Sequence, residues 1–194
     1  MSARTATVSR TTRETTICCT LDLDGDGSAA VDTGLGFLDH MLTSLARHGG
    51  LTLTLTATGD LDVDDHHTVE DCALVLGEAL DAALGDKAGV VRYGHAYAPL
   101  DEALARVVVD LSGRPWPSVD LGLRREQLGG VACENLTHFF NSLAIRGRIT
   151  LHVDVLKGEN DHHRAEAAFK ALALALRTAV TIRGGDVPST KGVL

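Results

Sequence analysis

The chain has 194 residues, 44% hydrophobic but only 4% aromatic, and a formal net charge of -8. That length suits one sizeable domain or two small halves sharing a core, built of Ala, Val and Leu, and the acidic balance argues against a nucleic-acid binder, which normally carries a basic patch. Cys18, Cys19, Cys72 and Cys133 form no C-x-x-C pair, which fits a reduced cytoplasmic setting. No apolar signal region occupies residues 1–16, and the most apolar stretch, Ala171 to Ile182, is interrupted by Arg177 and is too short to cross a membrane.

In chain order, alternating segments near 5–12, 14–23 and 28–33 predict three strands. The stretch FLDHMLTSLARH at 37–48 follows, then the alternating LTLTLT at 51–56. Residues 66–84 have helical spacing in Leu74, Leu76, Leu80 and Leu84, with Gly85 as a plausible end. The series then starts again. Strands are predicted near 91–98, 104–111 and 116–121, followed by NLTHFFNSLAIR at 135–146, the alternating ITLHVD at 149–154 and a helical segment at 162–182.

This recurrence is an internal duplication. His40 aligns with His138, and Ser44-Leu45-Ala46 with Ser142-Leu143-Ala144. The duplication predicts two β-β-β-α-β-α halves, 1–88 and 89–194, in a single α+β domain with helices packed between or against two sheets. The tail, 184–194, is rich in Gly, Pro and Ser and is expected to be irregular. Asp22 to Ser28 imitates the start of an EF-hand loop, but loop position twelve falls on Thr33 or Leu35 rather than on the required Glu. A hairpin turn is expected there.

The chemistry concentrates in two His-His-x-x-Glu motifs, His66-His67-Thr68-Val69-Glu70 and His162-His163-Arg164-Ala165-Glu166. Imidazole and carboxylate together suit borderline divalent metals. Residues three apart on a helix share a face, so His67 pairs with Glu70 and His163 with Glu166, leaving His66 and His162 for a second metal or for the same cluster across an interface. The duplication then suggests one site of His66, His138, His163 and Glu166, and another of His162, His40, His67 and Glu70. Arg92, Arg114, Lys170, Ser189 and Lys191 are candidate anion ligands. Glu14 stands in a Thr- and Arg-rich strand and means nothing by itself.

FLDHML at 37–42, DDHHTVED at 64–71, ENLTHFF at 134–140, DHHRAEAAFKALA at 161–173 and STKG at 189–192 closely resemble the imidazoleglycerol-phosphate dehydratase family of histidine biosynthesis. The resemblance runs along nearly the whole chain. It implies ribosomal protein S5 domain 2-like halves with helices between two sheets. It also implies two Mn²⁺ ions per active site, sites built between subunits, and an assembly of about 24 chains made from trimers, with a small phosphorylated imidazole as substrate and no nucleic-acid or membrane partner. Carried over residue by residue, the metal ligands are His40, His66, His67, Glu70, His138, His162, His163 and Glu166. Substrate contacts fall on Glu14, His40, His48, His66, Glu70, Arg92, Arg114, His162, Lys170, Ser189 and Lys191, the phosphate lying with Arg92, Arg114, Lys170, Ser189 and Lys191. Glu14, Glu70 and Glu166 are the expected catalytic carboxylates, with His48 and Asp101 as further acid/base candidates. The sequence departs from the family pattern at Ser44, where a Gln is expected.

The reaction so implied removes a weakly acidic C–H and expels a hydroxide beside an imidazole ring. Two metals holding the ring nitrogens would stabilise an imidazolate. Two other readings use the same ligands: a non-catalytic metal-storage or assembly protein, against which the cationic set argues, and a two-metal phosphoester hydrolase, whose sites are usually richer in Asp.

Overall fold

The structure is a computed structural model that describes residues 4–192 and Leu194. Three strands open it, β1 (Thr5–Thr11), β2 (Thr15–Asp22) and β3 (Ala29–Asp32), followed by α1 (Gly36–Gly49), β4 (Thr52–Gly59) and α2 (His66–Leu84). The second series is β5 (Tyr93–Leu100), β6 (Ala103–Asp110) and β7 (Trp116–Asp120), then the short pair β8 (Gln127–Leu128) and β9 (Val131–Ala132), then α3 (Cys133–Arg146), β10 (Thr150–Lys157) and α4 (Asp161–Ala179).

Two four-stranded sheets have matching orders, β1-β2-β4-β3 and β5-β6-β10-β7. In each, the last strand joins its neighbour in parallel, as β3 does β4 and β7 does β10, while the other pairs are antiparallel. Period-2 alternation sends one row of side chains inward. Ile17, Cys19 and Leu21 on β2, Val107 and Val109 on β6, and Leu151 and Val153 on β10 are buried, while Thr16, Cys18 and His152 face out.

The helices fill the space between the sheets. The second helix of each half lies on its own sheet, α2 on β1 and β2, α4 on β5 and β6. The first helix of each half packs instead against the second helix of the other, α1 on α4 and α3 on α2. Small residues permit the close layers: Ala165, Ala168, Ala171 and Ala175 of α4 are fully buried. At Gly94 of β5 an added Cβ would lie 1.9 Å from the Ala175 carbonyl oxygen, so glycine is required where strand meets helix. Phe139, Phe140 and Phe169 cluster at the centre with ring centroids 4.7–6.0 Å apart, which compensates for the scarcity of aromatics elsewhere.

Three expectations change. The last helix ends at Ala179 rather than near 182, because the chain turns away to bridge Ile182 with Val90. The β8–β9 pair is an insertion without a counterpart among the described residues of the first half. The segment at 22–28 is a turn but not a hairpin, because it links β2 to β3, which lie on either side of β4. Its aspartates serve the turn itself: Asp22 accepts from the Asp24 N–H and Asp26 from the Ser28 N–H, each at 2.9 Å, local bonds of the kind Asp favours in turns.

Candidate active site

The exchange of helix partners decides which side chains meet. His40 on α1 comes to His162 and Glu166 on α4, and His138 on α3 comes to His66 and Glu70 on α2. Each trio offers ligand atoms within 4.8 Å of one another. In the trio on α2 and α3, Glu70 Oε1 lies 3.0 Å from His138 Nε2 and Oε2 lies 3.9 Å from His66 Nε2. In the trio on α1 and α4, Glu166 Oε2 lies 3.3 Å from His40 Nε2 and 3.1 Å from His162 Nε2.

Within one chain the carboxylates stand differently from the expected partition. Glu70 stays with His66, and Glu166 with His162, because residues four apart on a helix share a face as well as residues three apart. His67 and His163 leave their own trios. Adjacent rings stand nearly perpendicular, 79° for His66 and His67 and 87° for His162 and His163.

The two displaced histidines have matching surroundings. His67 Nδ1 lies 3.0 Å from Asp60, just after β4, and His163 Nδ1 lies 2.8 Å from Glu102, in the β5–β6 turn. On the opposite nitrogen, His67 Nε2 faces Glu14 at 3.7 Å and His163 Nε2 faces Asp101 at 3.9 Å. Glu14 sits in the β1–β2 turn and Asp101 in the equivalent β5–β6 turn, so the two acid/base candidates hold equivalent positions in the two halves. The Asp60 hydrogen bond raises the His67 pKa, and the Glu102 hydrogen bond raises that of His163. Glu102 is lowered to about 2, foremost by the Asn160 backbone N–H and then by His163.

The two trios differ in their supports. His66 Nδ1 lies 3.0 Å from the Asn135 amide oxygen, whereas His162 rests edge-on against the Phe37 ring, centroids 5.2 Å apart. Glu166 has a third neighbour: its Oε1 lies 2.7 Å from Lys170 Nζ. Its side chain is 12% exposed against 34% for Glu70. Burial pushes the Glu166 pKa up, but Lys170 and His40 bring it below the usual value. The residue of α2 that corresponds to Lys170 is Leu74. On α1, His40, Ser44 and His48 succeed one another at four-residue spacing; the Ser44 Oγ is buried without a hydrogen-bond partner, and burial followed by the Lys170 charge lowers the His48 pKa.

The aspartate before each double histidine ties down the inserted segment. Asp65 accepts from the Ala132 N–H at 2.9 Å, and Asp161 accepts from the Arg124 and Arg125 N–H groups at 2.8 and 2.7 Å. The start of α3, and with it His138, is anchored to the helices that carry the motifs.

The expected phosphate residues divide. Arg92, Arg114, Ser189 and Lys191 line one open cleft of about 630 Å³ with Tyr93 and Pro188, while Lys170 stands beside Glu166 and outside that lining. Arg92 is engaged within the chain: it pairs with both oxygens of Asp110 at 2.7 and 3.1 Å and donates to the Pro188 carbonyl at 2.8 Å, holding the tail against the sheet. Arg92 and Asp101 have positive φ, 76° and 47°, backbone uncommon for such residues. A larger open cleft of about 1080 Å³ beside Gly49, Leu84 and Arg177 contains none of the expected residues. Sequence reasoning missed Asp60, Glu102, Asn135 and Phe37. Signals were available for three of them: Glu102 adjoins Asp101 in the turn matching that of Glu14, and Phe37 and Asn135 hold aligned positions in the two repeats.

Both trios fit a divalent ion. Each combines two imidazole nitrogens with a carboxylate, a borderline donor set, and three protein donors leave further positions open.

A family model described as imidazoleglycerol-phosphate dehydratase matches residues 33–176. The chain is 57% identical over 195 residues to the imidazoleglycerol-phosphate dehydratase of Salinibacter ruber, covering 100% of this chain and 96% of that one. It is 54% identical over 194 residues to that of Methanothermobacter thermautotrophicus, with 100% of both covered. It is 58% identical to a protein of the same name from Phytophthora nicotianae, of which it spans only 42%. Among solved structures it is similar to the crystal structure of imidazoleglycerol-phosphate dehydratase from Staphylococcus aureus subsp. aureus N315, with a TM-score of 0.83, 41% identity, and 92% of this chain and 99% of that one covered. The crystal structure of IGPD from Pyrococcus furiosus in complex with (S)-C348 matches with the same TM-score and identity over 96% of this chain and 100% of that one.

Proposed function

The chain belongs to the imidazoleglycerol-phosphate dehydratase family, and from that premise we propose that it is the hydro-lyase converting imidazole glycerol phosphate to imidazole acetol phosphate in histidine biosynthesis. The observation that carries this reading is the pair of two-His, one-Glu trios gathered where α1 meets α4 and α3 meets α2. Two divalent ions, Mn²⁺ by resemblance, would supply Lewis acidity toward the substrate's imidazole nitrogens, so that charge released by proton removal spreads into the ring. His40, His162 and Glu166 would hold one ion, and His66, Glu70 and His138 the other. His67 and His163, whose Nε2 atoms belong to neither trio, would serve the trios of neighbouring copies. That arrangement favours sites completed between subunits and agrees with the assembly of about 24 chains built from trimers that the resemblance implies.

The residues of the chain divide the remaining work. Glu14 moves the substrate proton, with Asp101 and His48 as further acid/base candidates. Lys170, Arg92, Arg114, Ser189 and Lys191 bind the phosphate, with Lys170 reaching it from the metal side and the tail residues from the sheet side. The halves 1–88 and 89–194 act as one domain, whose tail from 184 closes on the ligand. No helix among the described residues is long and apolar enough to cross a membrane, and we place the protein in the cytoplasm with its pathway.

Turnover of chelator-stripped protein, assayed with and without Mn²⁺, tests the proposal. Metal-dependent imidazole acetol phosphate supports it. Release of inorganic phosphate instead would favour the phosphoester hydrolase reading, and no product from metal-loaded, assembled protein would leave a storage or assembly role.

A further inference from the structure

We propose that Asp60 and Glu102 are positioning residues for the two histidines that leave their own trios. Each fixes which ring nitrogen of His67 or His163 is free. The inference rests on the metal reading given above. A carboxylate accepts and does not donate when ionised. With Asp60 Oδ2 at 3.0 Å from His67 Nδ1 and Glu102 Oε2 at 2.8 Å from His163 Nδ1, the proton sits on Nδ1 in both rings. The lone pair is left on Nε2, which faces Glu14 or Asp101 at the open side. Partners of this kind hold ligand histidines in orientation and raise their basicity.

The two clamps do not come from equivalent places. Asp60 follows β4, and the matching stretch before His162, Leu156 to Gly158, has no carboxylate. Glu102 comes instead from the β5–β6 turn. The duplicated halves thus reach the same contact from different elements, so the contact, rather than the local sequence, is what they share. Their mountings also differ. Glu102 Oε1 accepts from the Glu159 and Asn160 N–H groups at 3.0 and 2.8 Å, whereas Asp60 Oδ1 is buried without a partner.

The test is calorimetric titration of the assembled apoprotein with Mn²⁺, with assembly size measured on the same samples. Glu102→Ala and Asp60→Ala should each weaken one class of site about 10- to 100-fold. Glu102→Gln and Asp60→Asn, which retain an oxygen acceptor, should restore most of that loss. In a His163→Ala background, Glu102→Ala should add nothing, because it acts through that ring. Wild-type-like affinity in both alanine variants, or a further loss from Glu102→Ala without His163, would overturn the assignment while leaving the metal reading intact. Wild-type protein that binds no Mn²⁺ would overturn both.

Discussion

Lys170 Nζ lies 2.7 Å from Glu166 Oε1, while the other oxygen of that carboxylate faces His40 and His162. The lysine therefore marks one metal trio and not the other, since Leu74 takes its place on α2. A cation so close to a ligand carboxylate competes with a divalent ion unless an anion joins it. The arrangement therefore suits a substrate whose phosphate approaches on the α1/α4 side. Lys170→Met should raise KM for the phosphorylated substrate by roughly tenfold or more, since a hydrogen bond to a charged group contributes about 1.5–3 kcal/mol. Steady-state kinetics with metal in excess measures this, and an unchanged KM would remove Lys170 from the phosphate set.

The trios make a distinct prediction for metal content. Glu70→Gln should empty the His66–His138 trio and spare the His40–His162 trio, and Glu166→Gln the reverse. Each purified variant, analysed for metal by mass spectrometry, should contain about half the metal of the wild type if the two trios hold separate ions. Equal loss from both trios in either variant would contradict the separation.

Glu14 should report on catalysis rather than on metal content. Its carboxylate is exposed in a turn and belongs to neither trio. Glu14→Gln should retain both ions and lower kcat by about 100-fold or more, the usual contribution of a positioned acid or base. A variant with both metals and near-normal turnover would refute the assignment.

The stability of the metal-free protein should depend on pH through Glu102. Its folded pKa of about 2 lies below the ordinary value of 4.5, so the unfolded chain binds the proton more tightly. The contribution is therefore complete above about 4.5 and is lost as pH falls toward 2. Denaturant melts of Glu102→Gln against wild type should differ at neutral pH and converge in acid. A constant difference across that window would show that the carboxylate charge is not what the turn holds.

Gly94 offers a check on the layers. A methyl group there would meet the Ala175 carbonyl oxygen at 1.9 Å, and backbone cannot move aside as a side chain can. Gly94→Ala should cost about 1–3 kcal/mol or more, read as a lower midpoint in thermal unfolding with the trios untouched.

The duplication was legible because His40 and His138, the double histidines and the alternating segments recur at matched spacings, and that recurrence determines the order of strands and helices. The pairing of His66 with His138 and of His40 with His162 also follows from the repeat. Which histidine neighbours each carboxylate within the chain was not legible, because on a helix three- and four-residue spacings both keep residues on one face; only the side-chain directions distinguish Glu70 with His66 from Glu70 with His67. Asp60 and Glu102 were missed for a different reason. They occupy unrelated turns, and nothing in a repeat marks an interaction that its two copies make from different places. The end of α4 was set by a bridge from Ile182 to Val90, a long-range pairing that helical spacing does not register.

Because α1 rests on α4 and α3 on α2, neither half of the chain owns a complete trio. A cut near Gly85–Gly89 would yield one fragment with His40, His66 and Glu70 and another with His138, His162 and Glu166, each holding an unfinished share of both trios. Complementation of the two fragments would therefore be scored by metal uptake, which tells correctly interlocked halves from halves that have only aggregated. The same interlock makes the ancestor of such a duplicated chain readable as a self-pairing half-length protein, with α1 and α3 exchanged between the two copies.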